Sequence, residues 1–293
     1  MNTSAEPQSL SLADGRLAAL AWGRDDAPTW LALHGWLDNA ATFSRLAPLL
    51  VEQLDIRIVA IDFAGHGQSA WLPPRVDYAL WDYIHNILDA LDALKLERAT
   101  LLAHSLGAII ASVMAGAIPE RIERLWLIDG LAGLLTTSTE HTALQLRNGI
   151  LGARRRPSTP PRYERLEDAV NARVAGAITP LDYETAAPLV VRNLEEDAGG
   201  FCFRTDPRLL RPSLVRFTPE QVDVILAAIE APVGLIEAED GILGDRPHGV
   251  RARAQVRHLT RHVLPGGHHL HLERSHVACV ADAIVSAYTS SAD

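Results

Sequence analysis

The feature that most constrains the fold is a run without charged side chains, from Ala99 to Pro119. Its length approaches that of a membrane-spanning helix, but it contains Ser105 and is interrupted by Gly107. A buried strand over Ala99–Leu102, followed at once by a buried helix over Leu106–Ala117, accounts better for this pattern. We therefore expect the run to lie inside a protein core and not in a membrane.

Strands alternate with helices along the first third of the chain. Ile56–Ile61 is an unbroken apolar run, which indicates a strand buried on both faces, as in a parallel sheet. Residues 77–96 carry apolar side chains at helical spacing. This alternation predicts right-handed βαβ units and a largely parallel sheet. The strands predicted in this part are Ser9–Ala13, Arg16–Trp22, Thr29–Leu33, Ile56–Ile61, Ala99–Leu102 and Leu125–Ile128.

The alternation stops after Leu134. Residues 135–218 hold no clear buried strand, but they contain helical stretches and bends rich in proline and arginine. Alternating strands and helices return at Pro219 and continue along the rest of the sequence. The 293 residues are therefore interpreted as one discontinuous α/β core, 1–134 and 219–293, with a helical cap inserted at 135–218.

Composition excludes several classes of protein. A net charge of −9 leaves no excess of cations to offset phosphates, so nucleic acid is not expected as a partner. Cys202 and Cys279, the two cysteines, cannot form a disulfide framework or a structural zinc site. Residues 1–10 lack the basic start and apolar core of a secretion signal. The expected location is the cytoplasm, and the sequence indicates no oligomeric state.

Ser105 is the strongest candidate for a nucleophile. It stands between the predicted strand and helix in Ala103-His104-Ser105-Leu106-Gly107, where a tight turn projects the hydroxyl above the sheet. The backbone N–H of Leu106, at the start of the helix, can stabilise a developing oxyanion. The N–H of Trp36, after the third strand, is the candidate for the second donor. Alternatively, Ser105 only caps the helix.

The best candidate for a general base is His268, in a loop between the last predicted strand and the last helix. From such a loop an imidazole can take the proton of Ser105 and pass it to the leaving group. His269 and His271 lie close by, and such a tract suggests metal binding. Because no carboxylate or cysteine with ligand spacing accompanies them, we predict no metal.

In this order and spacing, the motifs resemble the α/β-hydrolase superfamily. The run His34-Gly35-Trp36-Leu37-Asp38-Asn39-Ala40 is similar to its serine-hydrolase-like branch. The resemblance implies a mostly parallel eight-stranded sheet flanked by helices, an inserted helical cap, no cofactor, and hydrolysis of a small-molecule acyl substrate through an acyl-enzyme. The motifs that carry it are His34-Gly35-Trp36, Asp62-x-x-Gly65-His66-Gly67-x-Ser69, His104-Ser105-Leu106-Gly107 and Gly267-His268 followed by Leu270-His271-Leu272-Glu273.

The resemblance leaves two candidates for the acid of a Ser-His-Asp triad. Relatives usually carry the acid after strand seven, where Asp240 lies one residue off register and Gly241 occupies the expected position. Haloalkane-dehalogenase-like relatives carry it at the end of strand six, where this chain has Asp129. We favour Asp129, because the carboxyl end of a buried parallel strand lies on the rim where such sheets bind ligands. Asp240 is the alternative acid, and Asp129 could also be a loop-capping residue.

These residues predict a serine hydrolase that cleaves carboxylic esters. Thioester or lactone hydrolysis with the same triad is an alternative. Because Asp240 lies one residue off register in the loop after strand seven, a further alternative is a ligand-binding protein of the same fold with little turnover. Haloalkane dehalogenation and epoxide hydrolysis are disfavoured, because they need a carboxylate where this chain has Ser105.

Other polar and aromatic residues are interpreted as structural. His34, Asp62, His66 and Ser69 are expected to organise loops. The three arginines at 154–156 are expected on a solvated surface, where they could steer an anionic substrate. Side-chain packing is expected of Trp71 and Trp126.

Overall fold

A central sheet of eight strands runs through the part of the chain that the computed structural model describes, residues 6–132, 137–155 and 160–290. Its order is β1-β2-β4-β3-β5-β6-β10-β11, and all neighbours except β1-β2 and β2-β4 are parallel. The predicted mostly parallel, eight-stranded sheet is therefore confirmed. The strands are β1 (Gln8–Leu12), β2 (Leu17–Trp22), β3 (Thr29–Leu33), β4 (Arg57–Ile61), β5 (Ala99–His104), β6 (Ile122–Ile128), β7 (Arg162–Tyr163), β8 (Leu194–Asp197), β9 (Gly200–Phe203), β10 (Val233–Asp240) and β11 (Leu259–Gly267).

Helices cover both faces of this sheet. Helices α2, α3, α7 and α8 pack on one face, and α1 and α9 pack on the other. Successive residues of β4 alternate between these faces: Val59 and Ile61 join one core cluster, while Ile58 and Ala60 join the other. This explains why the strand is an unbroken apolar run. The helices are α1 (Leu46–Leu54), α2 (Asp82–Ala93), α3 (Leu106–Ala117), α4 (Thr142–Ala153), α5 (Leu166–Ala175), α6 (Tyr183–Asn193), α7 (Pro219–Ala227), α8 (Pro247–Gln255) and α9 (Val277–Thr289).

The segment between β6 and α7 differs from the expectation of a purely helical cap. Besides α4, α5 and α6, it contains a three-stranded antiparallel sheet of order β7-β9-β8. These strands are short and none of their residues is fully buried, so their side chains lack the alternating pattern of a half-buried strand. The expected division at 134/135 lies outside the described residues. The helix α7 begins at Pro219, and Thr218 caps it.

Two buried ion pairs join this segment to the core. Arg173 on α5 donates to Asp38 Oδ1 at 2.9 Å, and Arg192 on α6 donates from Nε to both carboxylate oxygens of Asp62 at 3.0 and 3.1 Å. Asn39 adds a hydrogen bond from its amide to the carbonyl of Leu189 at 2.7 Å. Because both aspartates are buried in the core, these contacts hold the segment against the carboxyl edge of the sheet.

No helix in the described ranges is long and apolar enough to cross a membrane. The charge-free run from Ala99 to Pro119 folds as the buried strand β5 and the buried helix α3, with Ser105 at the turn between them. The strand extends two residues beyond the predicted end, to His104.

Candidate active site

Ser105 occupies a strained turn at the carboxyl edge of the sheet. Its φ of +50° and ψ of −112° are unusual for a residue with a side chain, and such a conformation costs on the order of 1–3 kcal/mol. The backbone of Ser105 is held by a hydrogen bond from its N–H to the carbonyl of Ile128 at 3.0 Å. Gly107 permits the tight turn, because a Cβ there would lie 2.4 Å from the carbonyl oxygen of Leu33.

His268 lies within hydrogen-bond distance of the Ser105 hydroxyl. The loop after β11 places His268 Nε2 2.9 Å from Ser105 Oγ. The hydroxyl is the donor when this nitrogen carries no proton, which requires the proton of the neutral ring to lie on Nδ1. With only 7% of His268 exposed, water has little access to the ring, and the serine remains its partner.

Asp129 fixes that arrangement from the other side of the ring. His268 Nδ1 donates to Asp129 Oδ2 at 2.6 Å, and the carboxylate is fully buried. Asp129 follows β6 with a φ of +41°, and its N–H donates to the carbonyl of Ile236 on β10 at 2.7 Å. The neighbouring strand thus holds the Asp129 backbone in the position from which its carboxylate meets His268.

The loop after β10 supports Asp129 instead of supplying its own acid to the ring. Ile242 donates its N–H to Asp129 Oδ2 at 3.0 Å. Gly241 passes directly over the carboxylate, since a Cβ at this position would lie 2.4 Å from Asp129 Oδ1. Asp240 is exposed at the end of β10. The structure therefore brings Ser105, His268 and Asp129 together and leaves Asp240 at the surface.

The two expected oxyanion donors come from adjacent segments. Leu106 is the first residue of α3, so its N–H has no acceptor within the helix. Trp36 lies in the loop after β3, and the N–H of Gly107 donates to the carbonyl of His34 in that loop at 3.1 Å. This hydrogen bond brings the Trp36 loop beside the start of α3 and next to Ser105.

Comparisons with known proteins identify the family and the fold of this chain. A family model for the alpha/beta hydrolase fold matches residues 28–179. A serine hydrolase-like protein from Dictyostelium discoideum is 32% identical over an alignment 280 positions long, which covers 88% of this chain and 75% of that protein. The chain belongs to the α/β-hydrolase family. The family resemblance seen in the sequence is thereby confirmed.

Two solved structures extend the comparison. A hypothetical protein from Pseudomonas aeruginosa PAO1 is 40% identical, with a TM-score of 0.87, over 97% of this chain and 99% of that chain. The thioesterase domain from the curacin biosynthetic pathway is 24% identical, with a TM-score of 0.78, over 96% of this chain and 99% of that chain. At that identity the thioesterase shows the shared fold alone. This α/β hydrolase thus has an eight-stranded core of the same architecture.

Several polar residues of this α/β hydrolase organise loops around the candidate site. Asp62 accepts hydrogen bonds from the N–H groups of Ala40 and Gln68 at 2.7 and 2.8 Å. Ser69 donates to the carbonyl of Asp62 at 2.6 Å. Burial lowers the pKa of His34 to about 4 and that of His66 to about 3, so both rings are neutral at pH 7. These residues connect loops and do not contact Ser105 through any described hydrogen bond.

The carboxylate of Asp38 lies beside the histidines at 268–271, although residue spacing in the sequence did not indicate it. Asp38, His104 and His269 are buried, and one potential metal-ligand atom from each lies within 4.8 Å of the others. Two histidines and a carboxylate suit divalent transition metals. Here Asp38 already accepts from Arg173 and from His269 Nε2, at 2.9 and 3.0 Å. Both carboxylate oxygens therefore have protein donors, while His104 Nδ1 lies 3.6 Å from Asp38 Oδ2. No sequence motif shows this, because Asp38 and His269 are 231 residues apart.

A cavity of about 670 Å³ lies between the loop at 71–77 and the inserted segment. Trp71 lines it and is 52% exposed, contrary to the expected packing role, whereas Trp126 is buried in the core as predicted. Arg154 and Arg155 are exposed after α4, and Arg156 lies outside the described residues. The other residues that line the cavity are Leu72, Pro74, Arg75, Asp77, Ala153, Arg208 and Arg211.

Proposed function

We propose that this α/β hydrolase is a serine hydrolase that cleaves carboxylic esters through an acyl-enzyme on Ser105. The observation that carries the proposal is the continuous hydrogen-bonded series from Ser105 Oγ through His268 to Asp129, at 2.9 and 2.6 Å. A serine that only capped the helix would accept a backbone N–H, and Ser105 makes no such capping hydrogen bond.

The acylation step follows from these contacts. Ser105 Oγ attacks the acyl carbonyl carbon while His268 Nε2 takes the hydroxyl proton. The N–H groups of Trp36 and Leu106 stabilise the oxyanion of the tetrahedral intermediate. When the intermediate collapses, the bond to the leaving group breaks, and His268 returns the proton to the leaving oxygen. Asp129 stabilises the transient imidazolium and holds the tautomer with its proton on Nδ1.

Deacylation repeats the same sequence with water. His268 Nε2 removes a proton from water, whose oxygen attacks the acyl carbon and forms a second tetrahedral intermediate. Its collapse breaks the bond to Ser105 Oγ, which takes the proton back from His268. The carboxylic acid leaves, and the resting enzyme is restored.

We propose that residues 135–218 form a cap beside this site. A small-molecule acyl substrate, a cytoplasmic location and the absence of nucleic-acid partners stay predictions from the sequence.

Labelling by a fluorophosphonate tests the nucleophile, because this reagent forms a covalent bond with an activated serine. We expect labelling of the wild type, and a burst of p-nitrophenol on mixing with a p-nitrophenyl acyl ester. In Ser105→Ala both should vanish, and turnover should fall by about 10⁶-fold. A wild type that is never labelled, or a Ser105→Ala protein with full turnover, would contradict the proposal.

A substrate panel separates the alternatives that share this triad. Acyl esters, acyl thioesters and lactones of matched chain length should be compared by kcat/KM, with the ester expected to rank first. A higher kcat/KM for thioesters or lactones would assign the same residues to that reaction class. Ligand-induced thermal stabilisation without turnover of any acyl substrate would instead favour a binding protein.

A further inference from the structure

Asp38 is a buried carboxylate that lies outside the Ser105–His268–Asp129 series but contacts the elements around it. It is 2% exposed. Burial by itself raises its pKa, but His269 and Arg173 outweigh that effect, and the pKa of Asp38 lies well below its ordinary value. Asp38 is therefore ionised at neutral pH. A buried charge is tolerated only when its partners are well placed, so the positions of these partners are coupled to Asp38.

The first contact leads to the loop that carries the proposed base. Asp38 Oδ2 accepts from His269 Nε2 at 3.0 Å, and His269 is the chain neighbour of His268. His104 packs against both rings, at centroid distances of 4.6 Å to His268 and 5.0 Å to His269. His104 Nε2 also donates to the backbone carbonyl of His268 at 2.9 Å. Buried groups thus hold the His268 backbone at two places: His104 at the His268 carbonyl, and Asp38 at the neighbouring residue His269.

The second contact lies in the loop that carries the proposed oxyanion donor. Asp38 belongs to the turn after β3, where its N–H donates to the carbonyl of Gly35 at 3.2 Å. Trp36 lies inside this turn. Gly35 packs closely on the side chains of Asp38 and His104, since a Cβ at position 35 would lie 3.1 Å from Asp38 Oδ2 and 3.0 Å from His104 Nδ1. The Asp38 side chain therefore joins the Trp36 loop to the His268 loop.

The third contact comes from the inserted segment, through Arg173 on α5. This guanidinium donates to Asp38 Oδ1 at 2.9 Å and is largely buried. One carboxylate thus connects three separate parts of the chain: the Trp36 loop, the His268 loop and the inserted segment.

We propose that Asp38 is a positioning residue: it sets the relative placement of the Trp36 N–H and the His268 ring, and Arg173 holds Asp38 in that position. The inference rests on the proposed function. Asp38 acts through other residues and does not touch the reacting atoms. Loss of its contacts should therefore lower kcat, because misplacement of a reacting group by about 1 Å can cost about 10²-fold. KM should change little, since no substrate contact is removed.

Two arginine variants give a matched test. Arg173→Gln and Arg192→Gln each remove a buried guanidinium that joins the inserted segment to a core aspartate, Asp38 or Asp62. Both should lower the Tm. Only Arg173→Gln should also lower kcat and the rate constant of fluorophosphonate labelling, each by on the order of 10-fold. Arg192→Gln should keep both within about 2-fold of the wild type, because Asp62 contacts the Trp36 loop only through the backbone N–H of Ala40 and has no described hydrogen bond to the His268 loop.

Two substitutions of His269 test the contact from the other side. The side-chain amide of glutamine reaches about as far as the Nε2 atom of histidine, so His269→Gln keeps a donor for Asp38, whereas the shorter His269→Asn does not. We expect kcat within about 3-fold of the wild type for glutamine and a loss of about 10²-fold for asparagine and for Asp38→Asn. Asparagine at 38 presents one acceptor to two donors, so one contact is lost.

The outcomes separate this inference from the proposed function. Equal labelling rates in the wild type, Arg173→Gln, His269→Asn and Asp38→Asn would overturn the positioning role while the serine hydrolase proposal stands. A KM increase at unchanged kcat, or equal kcat losses in the two arginine variants, would also overturn it. A wild type that is not labelled would overturn both.

Discussion

His268 and His269 are adjacent in the sequence, and each pairs with a buried aspartate. His268 Nδ1 donates to Asp129 Oδ2 at 2.6 Å, and His269 Nε2 donates to Asp38 Oδ2 at 3.0 Å. In both pairs the carboxylate is almost completely inaccessible to solvent. By residue type, distance and burial the two pairs are close to equivalent.

The difference lies at the second nitrogen of each ring. His268 Nε2 has the Ser105 hydroxyl at 2.9 Å. The buried His269 Nδ1 has no hydrogen-bond partner in the described part of the chain. Only the first pair can pass a proton between a nucleophile and a substrate. We therefore propose a catalytic role only for the Asp129–His268 pair, whose second ring nitrogen contacts the Ser105 hydroxyl. The Asp38–His269 pair has no such contact and can only hold loops together.

The largest effect expected from a change to the aspartates is at Asp129. Asp129→Asn keeps the shape of the side chain but disfavours the Nδ1–H tautomer of His268, so kcat should fall by about 10⁴-fold. Asp240→Asn, at the exposed alternative acid, should leave kcat within about 2-fold. Steady-state kinetics on a p-nitrophenyl ester provides the measurement. A large loss at Asp240 with a small loss at Asp129 would reverse the assignment.

A smaller effect is expected when the carboxylate is only displaced. The Cβ of Gly241→Ala would lie 2.4 Å from Asp129 Oδ1, so the carboxylate has to shift and kcat should fall by about 10²-fold. Gly244→Ala is the control in the same loop: its Cβ meets no atom within 4 Å, although its φ of +48° adds backbone strain. That variant should lose thermal stability without losing kcat. Similar kcat values for both variants would show that the contact with Asp129 is not critical.

The smallest effects per residue concern the buried histidines that lack a carboxylate hydrogen bond, His34, His66, His104 and His271. Burial lowers the pKa of all four. Between pH 6.5 and about 4 the unfolded chain therefore binds more protons than the folded chain. Their contribution to stability is complete above pH 6.5 and is lost as the pH falls.

Urea unfolding at pH 7, 6 and 5 measures this loss. Each histidine should contribute up to about 1.4 kcal/mol per pH unit to the decrease in unfolding free energy. His66→Gln should make the dependence less steep by about one histidine's share. Equal unfolding free energies at pH 7 and pH 5 would contradict the prediction that these four rings stay neutral in the folded protein.

The sequence predicted most of the core because local patterns decide it. The apolar run of β4 and the helical spacing of α2 follow from side-chain periodicity. Even so, α2 begins at Asp82, five residues after the predicted start at Asp77, and Tyr78, in the segment before it, donates to Asp206 of the inserted segment at 2.7 Å. Helix boundaries depend on such distant contacts, which no local window contains.

The small sheet of the inserted segment shows the same limit of local patterns. The strand β8 reads Leu-Glu-Glu-Asp, a sequence with low strand propensity. It forms because β9 pairs with it in antiparallel register, from Leu194–Phe203 to Asp197–Gly200. Tertiary pairing overrides propensity here, and a search for buried strands could not find an exposed one.

By itself, the sequence determined the α/β alternation, the turn that presents Ser105 and the loop that carries His268, since periodicity and turn chemistry are local properties. Only the tertiary structure decided which carboxylate meets His268 and that Asp38 lies against His269. The reason is strand order: pairing of β6 with β10 brings Asp129 beneath Gly241, and the adjacent ends of β3 and β5 bring the Asp38 turn beside His104 and the histidine tract. Contacts between residues that are more than 100 positions apart depend on how the whole sheet assembles.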